Sequence, residues 1–274
     1  MKFVLPDFLE KNHTLNKLEN LSICKYIQYE EQHKNEVFIS TNMLIFVIKG
    51  SKILHFKDEK IGIVYPVYAG EAPKIILEFL EKATFETDYF YLILTYGKDV
   101  TDAPECIARL LEEKGRHVNY IHSILMVDNY LPSFDMNEQR AMNKNVEQQI
   151  QQALQDIQNK KEEIPEATQA GRDFHASAKE IFAKNPEIIN GEQITVTDKC
   201  VGCGICTKVC PRGLFYVEDK KAKRKQNTCE FCLACAQNCP SKAIITKLKD
   251  ANPNARYRHE KVSLKDIIEA NQQV

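Results

Sequence analysis

The chain has 274 residues, with 37 Lys and Arg against 38 Asp and Glu, a net charge of −1; that balance excludes the wholesale electrostatic capture of nucleic acid that a strongly basic domain achieves. No apolar run approaches the ~20 residues a membrane span needs, so one or two globular domains are expected. Ten cysteines follow an N-terminus without a signal-peptide pattern, which points to metal ligation in a reducing cytoplasm rather than to disulfides.

Residues 1–60 are β-rich. Two runs within residues 42–56 flank Gly50 and Ser51 and read as a hairpin. Residues 23–60 resemble the opening of the cupin-like sensor region of AraC-type transcription regulators. That resemblance implies a barrel followed by a helix-turn-helix, yet the chain passes instead into a run of another kind near Asp58 and Ile61. Residues 1–60 are therefore expected to be a loosely packed appendage, and its Cys24 a small idle thiol.

From residue 61 strands and helices alternate. Residues 61–68 (IGIVYPVY), 90–96 (FYLILTY) and 118–127 are apolar runs, and residues 72–82 and 101–114 carry helical spacing between them. Asp102 or Thr101 is the expected N-cap of the second helix and Gly115 its stop. Strands apolar along their whole length and separated by helices imply a parallel sheet covered on both faces. Apolar residues Met142, Val146, Ile150, Leu154 and Ile157 then mark one long amphipathic helix, ended by Pro165, and a further helix is expected over 172–184. Cys106 lies apart from the other cysteines and reads as a small buried thiol. His13, His33, His55, His117, His122, His175 and His259 have no metal-binding spacing and read as surface or satisfied core residues.

The remaining cysteines form two copies of one pattern. Cys200, Cys203, Cys206 and Cys210 precede Pro211, and Cys229, Cys232, Cys235 and Cys239 precede Pro240. This C-x2-C-x2-C-x3-C-P run ligates 4Fe-4S cubanes, the fourth cysteine of each run binding the other run's cluster. The expected ligand sets are Cys200, Cys203, Cys206 and Cys239 for one cluster, and Cys229, Cys232, Cys235 and Cys210 for the other. Structural zinc prefers two CxxC pairs a dozen or more residues apart, which fits the third and fourth cysteines of each run poorly. Residues 194–198 and 243–247 should pair as outer strands, with residues 214–218 in an inner hairpin. The basic residues Lys220, Lys221, Lys223, Arg224 and Lys225 between the runs are either a solvated loop or a docking surface for an acidic redox partner.

With both regions in place, the chain over about 61–250 resembles a flavodoxin-like domain fused ahead of a bacterial two-cluster ferredoxin. The resemblance rests on the run ending at Tyr68, on Thr95, Tyr96 and Gly97 at a strand's carboxyl end, on Asp128, Asn129 and Tyr130, and on the cysteine runs. It implies a partial flavodoxin-like α/β parallel sheet plus a small α+β ferredoxin domain. It also implies that loops carrying Tyr68, Tyr96 and Gly97 lie where a flavin ring would sit, although Tyr68 and Tyr96 also read as ordinary loop tyrosines. The first strand and phosphate loop of a flavodoxin are missing, so FMN would lack its anchor, and strand 61–68 is left as an apolar edge that invites pairing.

The expected domains are 1–60, 61–185, 186–250 and a tail over 251–274. The expected function is single-electron transfer through two 4Fe-4S clusters, an electron carrier rather than a stand-alone catalyst, with a redox- or iron-responsive regulator and a flavin-dependent oxidoreductase as alternatives.

Overall fold

A run of β-branched and aromatic residues with no polar alternation has to be covered on both faces, and helices on either side of a parallel sheet do this. The computed structural model describes residues 60–225 and 228–271, together with the backbone of short strands at Phe3–Leu5, Thr14–Leu18, Leu21–Cys24, Val37–Ile39, Met43–Leu44 and Ile53–His55. Strands β1 (Lys60–Pro66), β2 (Tyr89–Tyr96) and β3 (Tyr120–Leu125) are parallel, with β2 in the centre. Ile63 lies opposite Leu92, which in turn lies opposite Ile121.

The two faces of β2 alternate between two cores. Phe90, Leu92 and Leu94 pack with Ile61, Ile63 and Tyr65 beneath helices α1 (Lys74–Lys82) and α2 (Ala103–Glu113), which contribute Leu80, Ile107 and Leu111. Tyr89, Tyr91 and Ile93 pack on the other face with Tyr120, Ile124, Ala153 and Ile157. Gly62 is required where it stands: a Cβ there would lie 2.1 Å from the Tyr91 ring.

The long helix expected from Met142 to Pro165 is shorter at both ends: Met142 instead caps a separate short helix, α3 (Met136–Ala141), and the expected helix is α4 (Val146–Gln158). Asn145, at φ 50, breaks the path between them, and the Gln149 side chain fills the gap by donating to the Lys144 carbonyl at 2.7 Å and accepting from the Leu125 amide at 2.8 Å. Met142 and Leu154, expected on the buried stripe, are exposed. Helix α5 spans Gln169–Lys184, its N-cap Thr168 accepting from the Gly171 amide.

The apolar edge of β1 does find a partner. Met43–Leu44 pairs with it in parallel, Met43 opposite Ile61, while Ile53–His55 pairs in parallel with Thr84–Glu86. The two runs expected to form one hairpin thus serve two different sheets, because an open parallel edge competes for any strand nearby. The cupin-like reading of residues 23–60, Cys24, His13, His33 and His55 otherwise lie outside the described residues.

The cysteine-bearing unit is closed by an antiparallel pair, β4 (Ile194–Val196) with β7 (Ile244–Thr246), as the sequence implies. Between them run the short helix α6 (Ile205–Val209), the hairpin β5 (Phe215–Glu218) and β6 (Lys221–Arg224), and the single turn α7 (Ala234–Gln237). Asp219 and Lys220 turn the hairpin with both φ positive, at 50 and 58, the geometry of a type I′ turn. Residues beyond 250 pack back on the unit: Arg256 pairs with buried Asp250 at 3.1 Å and donates to the Ala236 carbonyl, and helix α8 (Leu264–Ala270) starts at a Ser263–Asp266 capping box. Among the described residues no helix is long and apolar enough to cross a membrane.

Candidate metal centre

Each cysteine run folds into the same backbone path. Gly202 and Gly204 take φ 67 and 75, and their counterparts Phe231 and Leu233 take φ 52 and 57. The second run therefore adopts the left-handed conformation without glycine, at a cost of roughly 1–2 kcal/mol per residue, and the turn that wraps the first three sulfurs is kept. At Gly202 the glycine is also steric, since a Cβ would stand 2.5 Å from the Lys220 carbonyl oxygen.

The third cysteine of each run rides on a short helix, Cys206 on α6 and Cys235 on α7, and the fourth follows it, Cys210 as the C-cap of α6 and Cys239 one residue beyond the C-cap of α7. The two helices pack together, which sends each fourth cysteine across to the opposite loop. Two cavities result. Cys200, Cys203, Cys206 and Cys239 line one; Cys210, Cys229, Cys232 and Cys235 line the other.

Main-chain amides are turned toward the sulfurs in both cavities. Ala222 N donates to Cys200 Sγ and Ala243 N to Cys239 Sγ, each at 3.3 Å. Phe231 N donates to Cys229 Sγ at 3.3 Å and Leu214 N to Cys210 Sγ at 3.4 Å. Burial first, then the neighbouring thiolates, pushes Cys206 up to about 11 and Cys232 up to about 12. Cys239 goes the other way: against the cost of burial, the Ser241 hydroxyl and the amides of Ala243, Ile244 and Ser241 hold its thiol below the ordinary value. Four converging sulfurs with amide donors behind them suit a positively charged iron core that draws the protons off, the donor chemistry of an iron–sulfur cluster.

The cavities differ in exposure. Cys203 is exposed and Val201 beside it is 67% exposed, so the first cavity faces solvent. The second is covered by the α/β region. Glu230, next to Cys229, accepts from the Ile75 amide in the first turn of α1 at 3.2 Å and from Arg212 Nε at 2.5 Å. Tyr130 meets Phe231 edge to face with centroids 6.1 Å apart, and Leu131 and Met136 belong to the same core as the cysteines.

Of the residues expected to face a flavin, Tyr68 lies beside the second cavity. Burial raises its phenol well above the ordinary value, helped by Cys232, Glu230 and Cys229. Tyr96 is half-buried at the end of β2, its phenol raised by burial and by Asp99. Gly97 is packed against Asp128, whose Cβ would stand 2.3 Å from an added Cβ, and its carbonyl accepts from Lys144 at 3.0 Å. The basic segment is partly self-neutralised: Lys221 pairs with Asp198 at 2.5 Å and Lys223 with Glu218 and Asp219. Of the residues that bind the two regions together, Arg212, Glu230 and Glu78 carried no signal in the sequence, because each draws its role from a contact distant along the chain, and Tyr130, singled out with a flavin-facing loop, packs instead on Phe231.

Residues 193–260 match the family described as the 4Fe-4S dicluster domain. An uncharacterised ferredoxin of Methanocaldococcus jannaschii is 38% identical over 74 residues, 24% of this chain and 96% of its own length. A ferredoxin of Methanothermococcus thermolithotrophicus is 40% identical over 53 residues, 18% of this chain and 88% of its own. The pyruvate synthase subunit PorD of Methanothermobacter marburgensis is 40% identical over 47 residues, 17% of this chain and 54% of its own. No solved structure matches the chain significantly.

Proposed function

Through residues 193–260 this chain belongs to the 4Fe-4S dicluster ferredoxins, iron–sulfur electron-transfer proteins, and we propose that it carries single electrons through two 4Fe-4S clusters. Cys200, Cys203, Cys206 and Cys239 hold the solvent-facing cluster, and Cys229, Cys232, Cys235 and Cys210 the one beneath the α/β region. The observation that supports this is the sorting of the eight sulfurs into two cavities with the fourth cysteines exchanged. When bound, each cluster supplies a one-electron couple whose potential depends on burial and on amide hydrogen bonds to sulfur. The chain's own contribution is to hold the sulfurs, aim the amides of Ala222, Ala243, Phe231 and Leu214, and line the inner cavity with the apolar side chains of Leu214, Phe215 and Leu233.

The exposed cavity is the place for exchange with a separate redox protein. Lys199 precedes Cys200 and the Lys220 backbone abuts Gly202; both lysines are exposed, so an acidic partner surface is the complement this side favours. The α/β region is read as a partial flavodoxin-like scaffold, on its parallel order and on the position of Tyr68, Tyr96 and Gly97 after the strands. No step of the proposed route passes through FMN. A cytoplasmic location suits exposed thiol ligands such as Cys203.

The exchange of ligands gives a direct test. Cys239→Ala and Cys203→Ala should remove the same low-temperature EPR signal from the reduced protein, and Cys210→Ala and Cys232→Ala the other. If Cys239→Ala and Cys232→Ala instead removed one signal together, the ligand sets are wrong.

A further inference from the structure

Away from the cysteine runs, three donors from two helices converge. Asp102 is the N-cap of α2 and Cys106 lies one turn later on that helix. Helix α5 brings His175 against both: Asp102 Oδ1 is 2.5 Å from His175 Nδ1, and Cys106 Sγ is 3.3 Å from Asp102 Oδ2 and 3.9 Å from His175 Nδ1. His175 is 2% exposed and Asp102 9%.

The loops around the imidazole are strained to hold it. Gly70, at φ 93, lies so close that a Cβ would stand 2.6 Å from His175 Cδ2, and Ala69 and Thr101 also take positive φ, at 51 and 56. Non-glycine residues held in that region cost free energy and cluster at functional sites. The second ring nitrogen adds an independent observation. His175 Nε2 is buried without a hydrogen-bond partner and stands 3.6 Å from Glu71 Oε1, a carboxylate that Lys179 fixes at 3.0 Å. A metal-bound histidine donates its free N–H to a carboxylate, and a shift of a few tenths of an ångström would bring Glu71 into that contact.

A Cys–His–Asp nucleophilic relay does not fit. In such a relay the carboxylate and the nucleophile use opposite ring nitrogens, whereas here Asp102 and Cys106 approach the same one. Convergence of oxygen, sulfur and nitrogen on a single point, all within 4.8 Å of one another, is the pattern of a metal site.

We propose that Asp102, Cys106 and His175 Nδ1 bind a divalent zinc-type cation, with water in the fourth position on the partly exposed Cys106 side. Tetrahedral zinc bonds of about 2.0–2.3 Å place sulfur about 3.5 Å from the nitrogen and oxygen ligands; Cys106 Sγ stands 3.9 Å from His175 Nδ1 and 3.3 Å from Asp102 Oδ2, while Oδ1 of the same carboxylate faces the imidazole, so the carboxylate turns to present one oxygen to the cation. The Asp102–His175 contact is a hydrogen bond whose proton the cation replaces, and the two ligand atoms separate by roughly 1 Å to admit it. Binding sends the Cys106 thiol proton to solvent, while the imidazole proton passes from Nδ1 to Nε2, the nitrogen that faces Glu71. A thiolate and an imidazole in the set favour zinc over magnesium or calcium, and Arg109, which donates to Cys106 Sγ at 3.5 Å, remains as a hydrogen-bond donor to the thiolate. The cation would tie α5 to the start of α2, next to the loop that carries Tyr68.

The test uses the full chain with its iron–sulfur clusters in place, exposed to zinc and dialysed, with zinc and iron measured together. About one zinc per chain is expected beyond the iron, with an X-ray absorption signature of one sulfur at about 2.3 Å and nitrogen or oxygen at about 2.0 Å. Cys106→Ser and His175→Asn should lose the zinc while the iron content stays unchanged. Glu71→Gln, which leaves all three ligands in place, should weaken zinc binding about 10–100-fold. No retained zinc in the parent chain, equal zinc in both ligand variants, or a signature of several sulfurs would overturn the proposal.

Discussion

Arg212 Nη1 and Nη2 each lie 2.8 Å from a carboxylate oxygen of Glu78, so a residue two positions beyond Cys210 is clamped to helix α1 by a two-point ion pair. The same guanidinium also holds Glu230, whose side chain is 3% exposed. Charge-assisted forks of this kind fix geometry as well as energy, and this one joins the cysteine-bearing unit to the sheet.

The two halves of that clamp should respond differently to substitution. Arg212→Ala leaves the Glu230 carboxylate buried without its partner and is expected to cost about 3–5 kcal/mol. Glu78 is half-exposed, so Glu78→Gln should cost about 0–1 kcal/mol. Denaturant unfolding of the two variants at neutral pH separates them, and equal losses would contradict the asymmetry.

The Arg212 hydrogen bond holds the Glu78 carboxyl below its ordinary value of 4.5. A lowered carboxyl contributes stability above the unfolded value and loses it as pH falls through the folded one. The stability difference between the parent and Glu78→Gln should therefore be constant above pH about 5 and vanish in more acid solution. A difference that grew on acidification would reverse the sign of this account.

Leu92 is fully buried at the centre of β2, between neighbours on both sides in the sheet. Leu92→Ala should cost about 2–5 kcal/mol through lost burial and the cavity left behind. Gly62→Ala acts by the opposite route, forcing a methyl into the Tyr91 ring, and should cost about 1–3 kcal/mol. Thermal unfolding of both reads these losses, and a neutral Gly62→Ala would show that the ring is free to move.

How much of this was legible in the sequence follows from the range of each interaction. Hydrophobic runs at 61–68 and 90–96 named their strands because each is apolar along its whole length, and the cysteine spacing named its metal chemistry because the ligands of one loop are adjacent in sequence. The break at Asn145 was hidden by apolar residues that continue in helical register across it. The clamp between Arg212 and Glu78 spans 134 positions, and the group formed by Asp102, Cys106 and His175 depends on how α5 lies on α2, so neither left a local pattern. Asp102 and Cys106 at i and i+4 were the one local hint of that group, and the scattered histidines gave no reason to use it.

The basic segment yields a prediction sharpened by its pairing. Lys220→Glu should slow electron transfer to an acidic partner at low salt and lose that effect at high salt, since complementary charge acts on encounter. Lys221→Glu, at a residue already paired with Asp198, should have the smaller effect. An unchanged rate at low salt in Lys220→Glu would remove this rim as the docking surface.

Cys203 is the most exposed of the eight cysteines, yet its loss should be felt throughout the unit. So small a core is expected to depend on its metal for much of its folding free energy, and under the proposed exchange of fourth ligands each cluster would tie one run to the other. Cys203→Ala is expected to lose the solvent-facing cluster and to lower the melting temperature of the whole unit. Loss of iron with no change in melting would contradict that dependence.

The central claim is that eight cysteines sorted into two cavities hold two 4Fe-4S clusters. Anaerobic purification of the full chain, followed by iron and acid-labile sulfide determination per chain, tests it most directly. About eight irons and eight sulfides are expected; about four of each, or zinc in place of iron at these cysteines, would contradict it.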